Sequence, residues 1–92
     1  MGLLDGKSGI VTGAAQGFGL ATAKRLAEEG ASVALVDIKA DKVNAAAASL
    51  VSEGLNAIAV KADVSDENAT IRMLDEAEQA FGELNFIHQN AA

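Results

Sequence analysis

There is no cysteine in this chain of 92 residues, no proline, no tyrosine and only one histidine. Without cysteine there is no disulfide framework, no thiolate metal site and no cysteine nucleophile. That composition suits a reducing compartment and makes the cytoplasm the expected location. Basic residues are also scarce: seven against thirteen acidic ones give a formal net charge of -6 and a pI near 4.5. Lysines and arginines scattered through an acidic chain do not make the cationic surface that a phosphate backbone requires, which argues against a nucleic-acid partner. No apolar run approaches the roughly 20 residues of a spanning helix, and residues 1–6 lack the charged start and apolar stretch of a signal peptide. Gly2 is no myristoylation site, because Gly6 stands where Ser or Thr is needed. No membrane partner is expected.

What is present is apolar: half of the residues, enough to fold around a core in one small domain. A chain of this size buries about 60–65% of the surface its unfolded form exposes, so the core is thin and dependence on a partner is favoured. Ser8-Gly9-Ile10-Val11-Thr12 reads as a buried first strand. From about Gly17 the period changes. Leu20, Ala23, Leu26 and Ala27 recur at helical spacing, Lys24, Arg25, Glu28 and Glu29 take the other side, and Gly30 ends the helix.

Ala31 to Val36 is a second strand, and a helix from about Asp41 to Glu53 carries the alanines 45–48 and closes at Gly54. Ala57 to Val60 is a third strand. Ser65 is the expected N-cap of a third helix, with Asp66 and Glu67 at its positive end and Ile71, Leu74, Ala77 and Phe81 on its inner face. Leu84 to His88 is a fourth strand. The order βαβαβαβ, with no repeat or linker to interrupt it, implies an α/β fold: a parallel sheet with helices on both faces.

Thr12-Gly13-Ala14-Ala15-Gln16-Gly17-Phe18-Gly19 lies between the first strand and the first helix, where a diphosphate-binding turn would have to be. Glycine permits positive φ and lets a phosphate approach the backbone amides, and the following helix offers free N–H groups and a dipole, worth about 0.3–1 kcal/mol at exposed sites. A tight strand-to-helix turn needs glycine for steric reasons too. Asp37 weighs against that plainer explanation: it stands at the end of the second strand, roughly twenty residues beyond the last glycine, where an acid accepts hydrogen bonds from the adenosine ribose. An Asp at a strand end is otherwise a turn former. A carboxylate here repels a 2′-phosphate, Gln16 adds no positive charge, and Ile38 rather than a basic residue comes next. NAD is therefore expected rather than NADP, with Lys39 close by.

These residues resemble the N-terminal part of the short-chain dehydrogenase/reductase family, whose turn is T-G-x-x-x-G-x-G. Thr12 to Gly19 match it throughout. Asp63-Val64 after the third strand resembles the pair that meets the adenine in that family, and Asn90-Ala91-Ala92 resembles its N-A-G motif, with Gln89 and Ala92 departing from the usual Asn and Gly. The resemblance implies a Rossmann-like sheet of strand order 3-2-1-4, residues 1–92 being the N-terminal half of a dinucleotide-binding domain. It also implies cofactor contacts from Gly13, Gln16, Gly17, Phe18, Gly19, Asp37, Ile38, Asp63, Val64, Asn90 and Ala91. Two local alternatives stand beside it: Asp63 as a cap of the turn before Ser65, and Ile38 as a core residue.

In that family a Ser and a Tyr-x-x-x-Lys pair carry the hydride-transfer chemistry, the tyrosine as acid/base. None stands at a matching position here, so the catalytic half is absent and nucleotide binding without catalysis is expected. His88, with no nucleophile or ligand cluster near it, reads as an interior or edge residue. Asp75, Glu76 and Glu78 read as a solvated face. With the strands in that order the fourth is an open edge, and one face has a single helix over it. Association through that edge is expected, with the missing half or with another copy. Two functions stay open: the cofactor-binding portion of an NAD(H)-dependent oxidoreductase, and a stand-alone nucleotide-binding or self-assembling module. Other glycine-rich binders rank below these: a phosphate-binding loop of NTPases needs Gly-Lys-Ser/Thr after its glycines, which this turn lacks, and methyltransferases, which also place an acid after the second strand, come third behind the full Thr12 to Gly19 match.

Overall fold

Apolar runs of strand type and helical periods alternate along the chain as β1 (Ser8–Thr12), α1 (Gly17–Glu28), β2 (Ser32–Asp37), α2 (Ala40–Ser52), β3 (Ala57–Lys61), α3 (Glu67–Phe81) and β4 (Phe86–Gln89). This computed structural model describes residues 2–89. All strand pairs are parallel, in the order β3-β2-β1-β4. The Rossmann-like arrangement is therefore the observed one.

The central strands are the most apolar because both of their faces are covered. Val11, Val33 and Leu35 turn toward α1 and α2, where Ala23, Ala27, Val43, Ala46 and Leu50 close over them. The alternate residues Ile10, Ala34 and Val36 turn the other way, against Ala69, Met73 and Ala77 of α3. Each fully buried Val, Leu or Ile stabilises the fold by about 1.5–3 kcal/mol. Two helices thus cover one face and a single helix the other. The helix contacts on that second face run to β1, β2 and β3, and Ile87 of β4 is left half exposed.

Helices α1 and α2 end in the same way. The N–H groups of Gly30 and Ala31 donate to the carbonyls of Ala27 and Leu26, and those of Gly54 and Leu55 donate to Val51 and Leu50. These bonds satisfy the last-turn carbonyls and turn the chain into the next strand.

Three details differ from the sequence reading. The cap of α3 is Asp66, whose carboxylate accepts from the N–H groups of Asn68 and Ala69; Ser65 instead turns back to Asp63. Ile71 is exposed, and Ala69, Met73 and Ala77 form the buried line of α3, flanked by the partly buried Leu74 and Phe81. The fourth strand also starts two residues late, because Asn85 is occupied in clamping the start of β1. Its Oδ1 accepts from Ser8 N–H at 2.9 Å, and its own N–H donates to the Ser8 carbonyl at 2.7 Å.

Candidate functional site

The C-terminal ends of β1, β2 and β3 open on a cleft of about 860 Å³. Gly13, Gln16, Gly17 and Phe18 form one side, from the turn that leaves β1. Asp37 and Ile38 at the end of β2 and Asp63 and Val64 after β3 form the other, and Gln89 of β4 also borders it. A parallel sheet brings these together because every strand ends on the same edge, so its connecting turns meet there.

The turn has the backbone that only glycine adopts freely. Gly13 and Gly17 have φ of 63° and 62°, in the left-handed region where a Cβ is penalised. A Cβ on Gly17 would meet no atom within 4 Å, so the space beside that backbone is open. Gly19 is placed differently: it is buried in the first turn of α1, where the lack of a side chain lets helix and sheet pack closely.

α1 begins without a side-chain cap, since Gln16 makes no such bond, and without an acidic residue in its first turn. Its leading N–H groups are left for an acceptor from outside the helix. In α3, by contrast, the Asp66 carboxylate takes that role.

The turn is fastened to the end of β2. Ala14 N–H donates to the Val36 carbonyl at 3.1 Å, and Ala15 N–H donates to Asp37 Oδ2 at 3.2 Å. Asp37 Oδ1 accepts from its own turn, at Lys39 N–H. A carboxylate has about four acceptor positions, so both oxygens keep room for further donors. Gln16 reaches the other way, its Oε1 accepting from Lys42 Nζ at 3.2 Å. That link joins the turn to α2 and has no local signature in the sequence. The one available hint is that the first turn of a helix following β2 lies near the β2 end.

Asp63 Oδ1 accepts from both the N–H and the Oγ of Ser65, at 2.9 and 2.6 Å. These bonds, the side-chain one foremost, hold its pKa below the ordinary 3.8. Asp63 does cap the local turn, then, while its Oδ2 has no partner among the described residues. Ile38 is not core: it is 54% exposed, and with Phe18 and Val64 it makes an apolar lining for the cleft. His88 is exposed on the edge strand. Asn90 and Ala91 lie outside the described residues. Among those described, no cluster of His, Cys, Asp or Glu is fit to hold a metal, and no helix is long and apolar enough to cross a membrane.

A sequence model of the short chain dehydrogenase family matches residues 7–92. An uncharacterized oxidoreductase of Mycobacterium tuberculosis is 50% identical over 90 residues, covering 98% of this chain and 36% of that protein. The crystal structure of a hydroxysteroid dehydrogenase from Escherichia coli superposes with a TM-score of 0.94 at 35% identity, over 97% of this chain and 38% of that one. A short chain dehydrogenase/reductase from Burkholderia phymatum, in complex with NAD, gives 0.89 at 32% identity over 95% and 31%. The chain spans 36% of the length of its Mycobacterium relative and 30% of a 1-deoxy-11-beta-hydroxypentalenate dehydrogenase from Streptomyces arenae.

Proposed function

This chain belongs to the short-chain dehydrogenase family, and on that premise we propose that it forms the adenosine and diphosphate end of a nicotinamide-dinucleotide site, with NAD preferred over NADP. The whole protein is then an oxidoreductase that transfers hydride between the nicotinamide and a carbonyl or alcohol. One observation carries the reading: the glycine turn and Asp37 border a single cleft, joined by a hydrogen bond. The Burkholderia phymatum relative's complex with NAD supports it.

The residues present fit such a ligand. The open space at Gly17 and the uncapped start of α1 suit a diphosphate, with Gly13, Gln16 and Phe18 bordering it and Gly19 keeping the helix close. Asp37 is the acceptor for the ribose hydroxyls. Ile38 and Val64 offer apolar surface to the adenine, and the free Oδ2 of Asp63 offers an acceptor to its amino group. Asn90 and Ala91 are assigned to the border of the same ligand by the family motif. The nicotinamide, when bound, supplies the hydride donor or acceptor, and the share of these residues is binding and orientation.

With no tyrosine among the 92 residues, we expect them to bind nucleotide without turning over substrate. The cytoplasm is the setting that a cysteine-free dinucleotide binder suits. The β4 edge and the half-exposed Ile87 favour association with a second copy or a further segment. A concentration-independent monomer by sedimentation, with protected β4 amides, would exclude association with a second copy.

Calorimetric titration of the chain tests the site. ADP-ribose is expected to bind about as well as NAD, because only the adenosine and diphosphate portion is read, and NADP more weakly. Failure of ADP-ribose to bind removes the reading.

A further inference from the structure

Gln16 stands where a helix receives its cap, between the glycine turn and α1, and its backbone already has the extended conformation of a cap residue, with φ of -164° and ψ of 172°. From that position a side-chain oxygen accepts from the second and third N–H groups of the helix, here those of Phe18 and Gly19. In α3 the Asp66 carboxylate does this for Asn68 and Ala69. Gln16 carries an acceptor, its carboxamide oxygen, yet makes no such bond. That oxygen is taken instead by Lys42 Nζ at 3.2 Å, 26 positions further along the chain in the first turn of α2.

The pairing is selective. Lys42 belongs to neither ion pair among the described residues, which join Lys24 to Glu53 and Arg25 to Glu29. Asp37 and Asp41 are close to it along the chain, but its side-chain hydrogen bond there goes to the neutral amide. An ammonium has three donors and no acceptor. It therefore fixes which end of the carboxamide it meets: the Gln16 oxygen faces Lys42, and the NH2 end is left to donate elsewhere. Lys42 itself cannot cap α1, having nothing to accept with.

We infer that Lys42 is a positioning residue for the cleft, acting through Gln16. By holding the Gln16 oxygen toward α2 it keeps the chain from capping α1 with its own side chain, and leaves the Phe18 and Gly19 N–H groups and the Gln16 NH2 to a diphosphate oxygen. This rests on the cleft being a dinucleotide site and adds a residue outside the cleft wall to its machinery. The charge of Lys42 is not the agent: with Lys39 and Lys61 it is balanced by Asp37, Asp41 and Asp63 around the same openings. Lys42 and Gln16 are both exposed, so the link has the modest worth of a surface hydrogen bond.

The test is a double-mutant cycle read by calorimetry with ADP-ribose, on the unaltered chain, Lys42→Met, Gln16→Ala and the double variant. Lys24→Met controls for lost charge, since Lys24 pairs with Glu53 outside the cleft. Salt at about 0.5 M screens the distant attraction between an exposed ammonium and an anionic ligand. Lys42→Met is expected to weaken binding by about three- to fivefold, as loss of one exposed hydrogen bond would, and to have no effect once Gln16 is replaced by Ala. Lys24→Met is expected to bind as the unaltered chain does. In the ligand-free chain, the Phe18 and Gly19 amide resonances are expected to shift in Lys42→Met, as the released oxygen caps α1. They are expected to stay in place when Lys42→Met is made on Gln16→Ala. Unchanged helicity will show that the variants are folded. The inference is overturned by undiminished binding in Lys42→Met, by an equal loss in the Gln16→Ala background or in Lys24→Met, or by Phe18 and Gly19 amides that do not move. Failure of the unaltered chain to bind ADP-ribose instead removes the reading of the cleft, and this inference with it.

Discussion

Asp37 Oδ2 accepts a hydrogen bond from the N–H of Ala15, 22 positions earlier in the chain. The acid at the end of β2 therefore holds the glycine turn in place, whatever it also does for a ligand. Asp37→Ala is expected to lower stability by about 1–2 kcal/mol, because it leaves a part-buried N–H without its acceptor. Asp37→Asn keeps an oxygen there and is expected to recover most of that loss while still reducing the preference for NAD. Urea unfolding paired with calorimetry separates the two effects.

Gly17→Ala tests the turn. Left-handed backbone costs a residue with a Cβ about 1–2 kcal/mol, and the added methyl projects into open space at the cleft. Gly54→Ala carries a similar penalty, with φ of 83° and open space, but stands after α2 and not on the cleft wall. Both variants are expected to lose comparable stability, and only Gly17→Ala to weaken ADP-ribose binding, by about tenfold.

Gly9 faces Phe86 in the β1–β4 register, and a Cβ built on it falls into the Phe86 ring and carbonyl. Gly9→Ala must therefore displace the edge strand. A destabilisation of about 1–3 kcal/mol is expected, as for overpacking elsewhere. In hydrogen exchange the lost protection is expected at the β4 amides first, since an edge strand opens more easily than the central pair.

Asp66→Ala is expected to cost about 1 kcal/mol by leaving the Asn68 and Ala69 N–H groups uncapped. Ser65→Ala is expected to leave the start of α3 capped, since the Ser65 side chain bonds Asp63 rather than the helix. Thermal unfolding of the two variants distinguishes the caps.

The Ser65 bonds lower the pKa of Asp63 from 3.8. A carboxyl whose folded pKa lies below its unfolded one contributes stability that is fully present above the unfolded value. That contribution is lost as the pH falls through the folded value. Asp63 thus adds to acid sensitivity only below 3.8, and its effect on the neutral protein does not vary with pH. Ser65→Ala is expected to raise the Asp63 midpoint toward 3.8 without reaching it, because the Ser65 N–H remains. NMR titration of the carboxyl carbon reads this directly.

The turn of residues 12–19 and the acid at position 37 were legible because strand, turn and helix are each encoded within a few residues. The start and inner face of α3 were less so. Ser65 and Asp66 are adjacent and both good caps, and local chemistry cannot choose between them; the bond from Ser65 to Asp63 does. Ile71 and Met73 both fit helical lines that include Ala77, and the rotation of α3 on the sheet decides which is buried. Ile10, Ala34 and Val36 meet the line of Ala69 and Met73.

By itself the sequence determined the alternation of elements, the parallel sheet, and the positions of the glycine turn and Asp37 at two strand ends. Short-range propensity and the periods of apolar residues suffice for that. Only the tertiary structure decided that Asp37 anchors Ala15, that Lys42 reaches Gln16, and that Phe86 lies over Gly9. Those partners are far apart along the chain, and their meeting depends on strand register and on how each helix seats against the sheet, which no local stretch of sequence encodes.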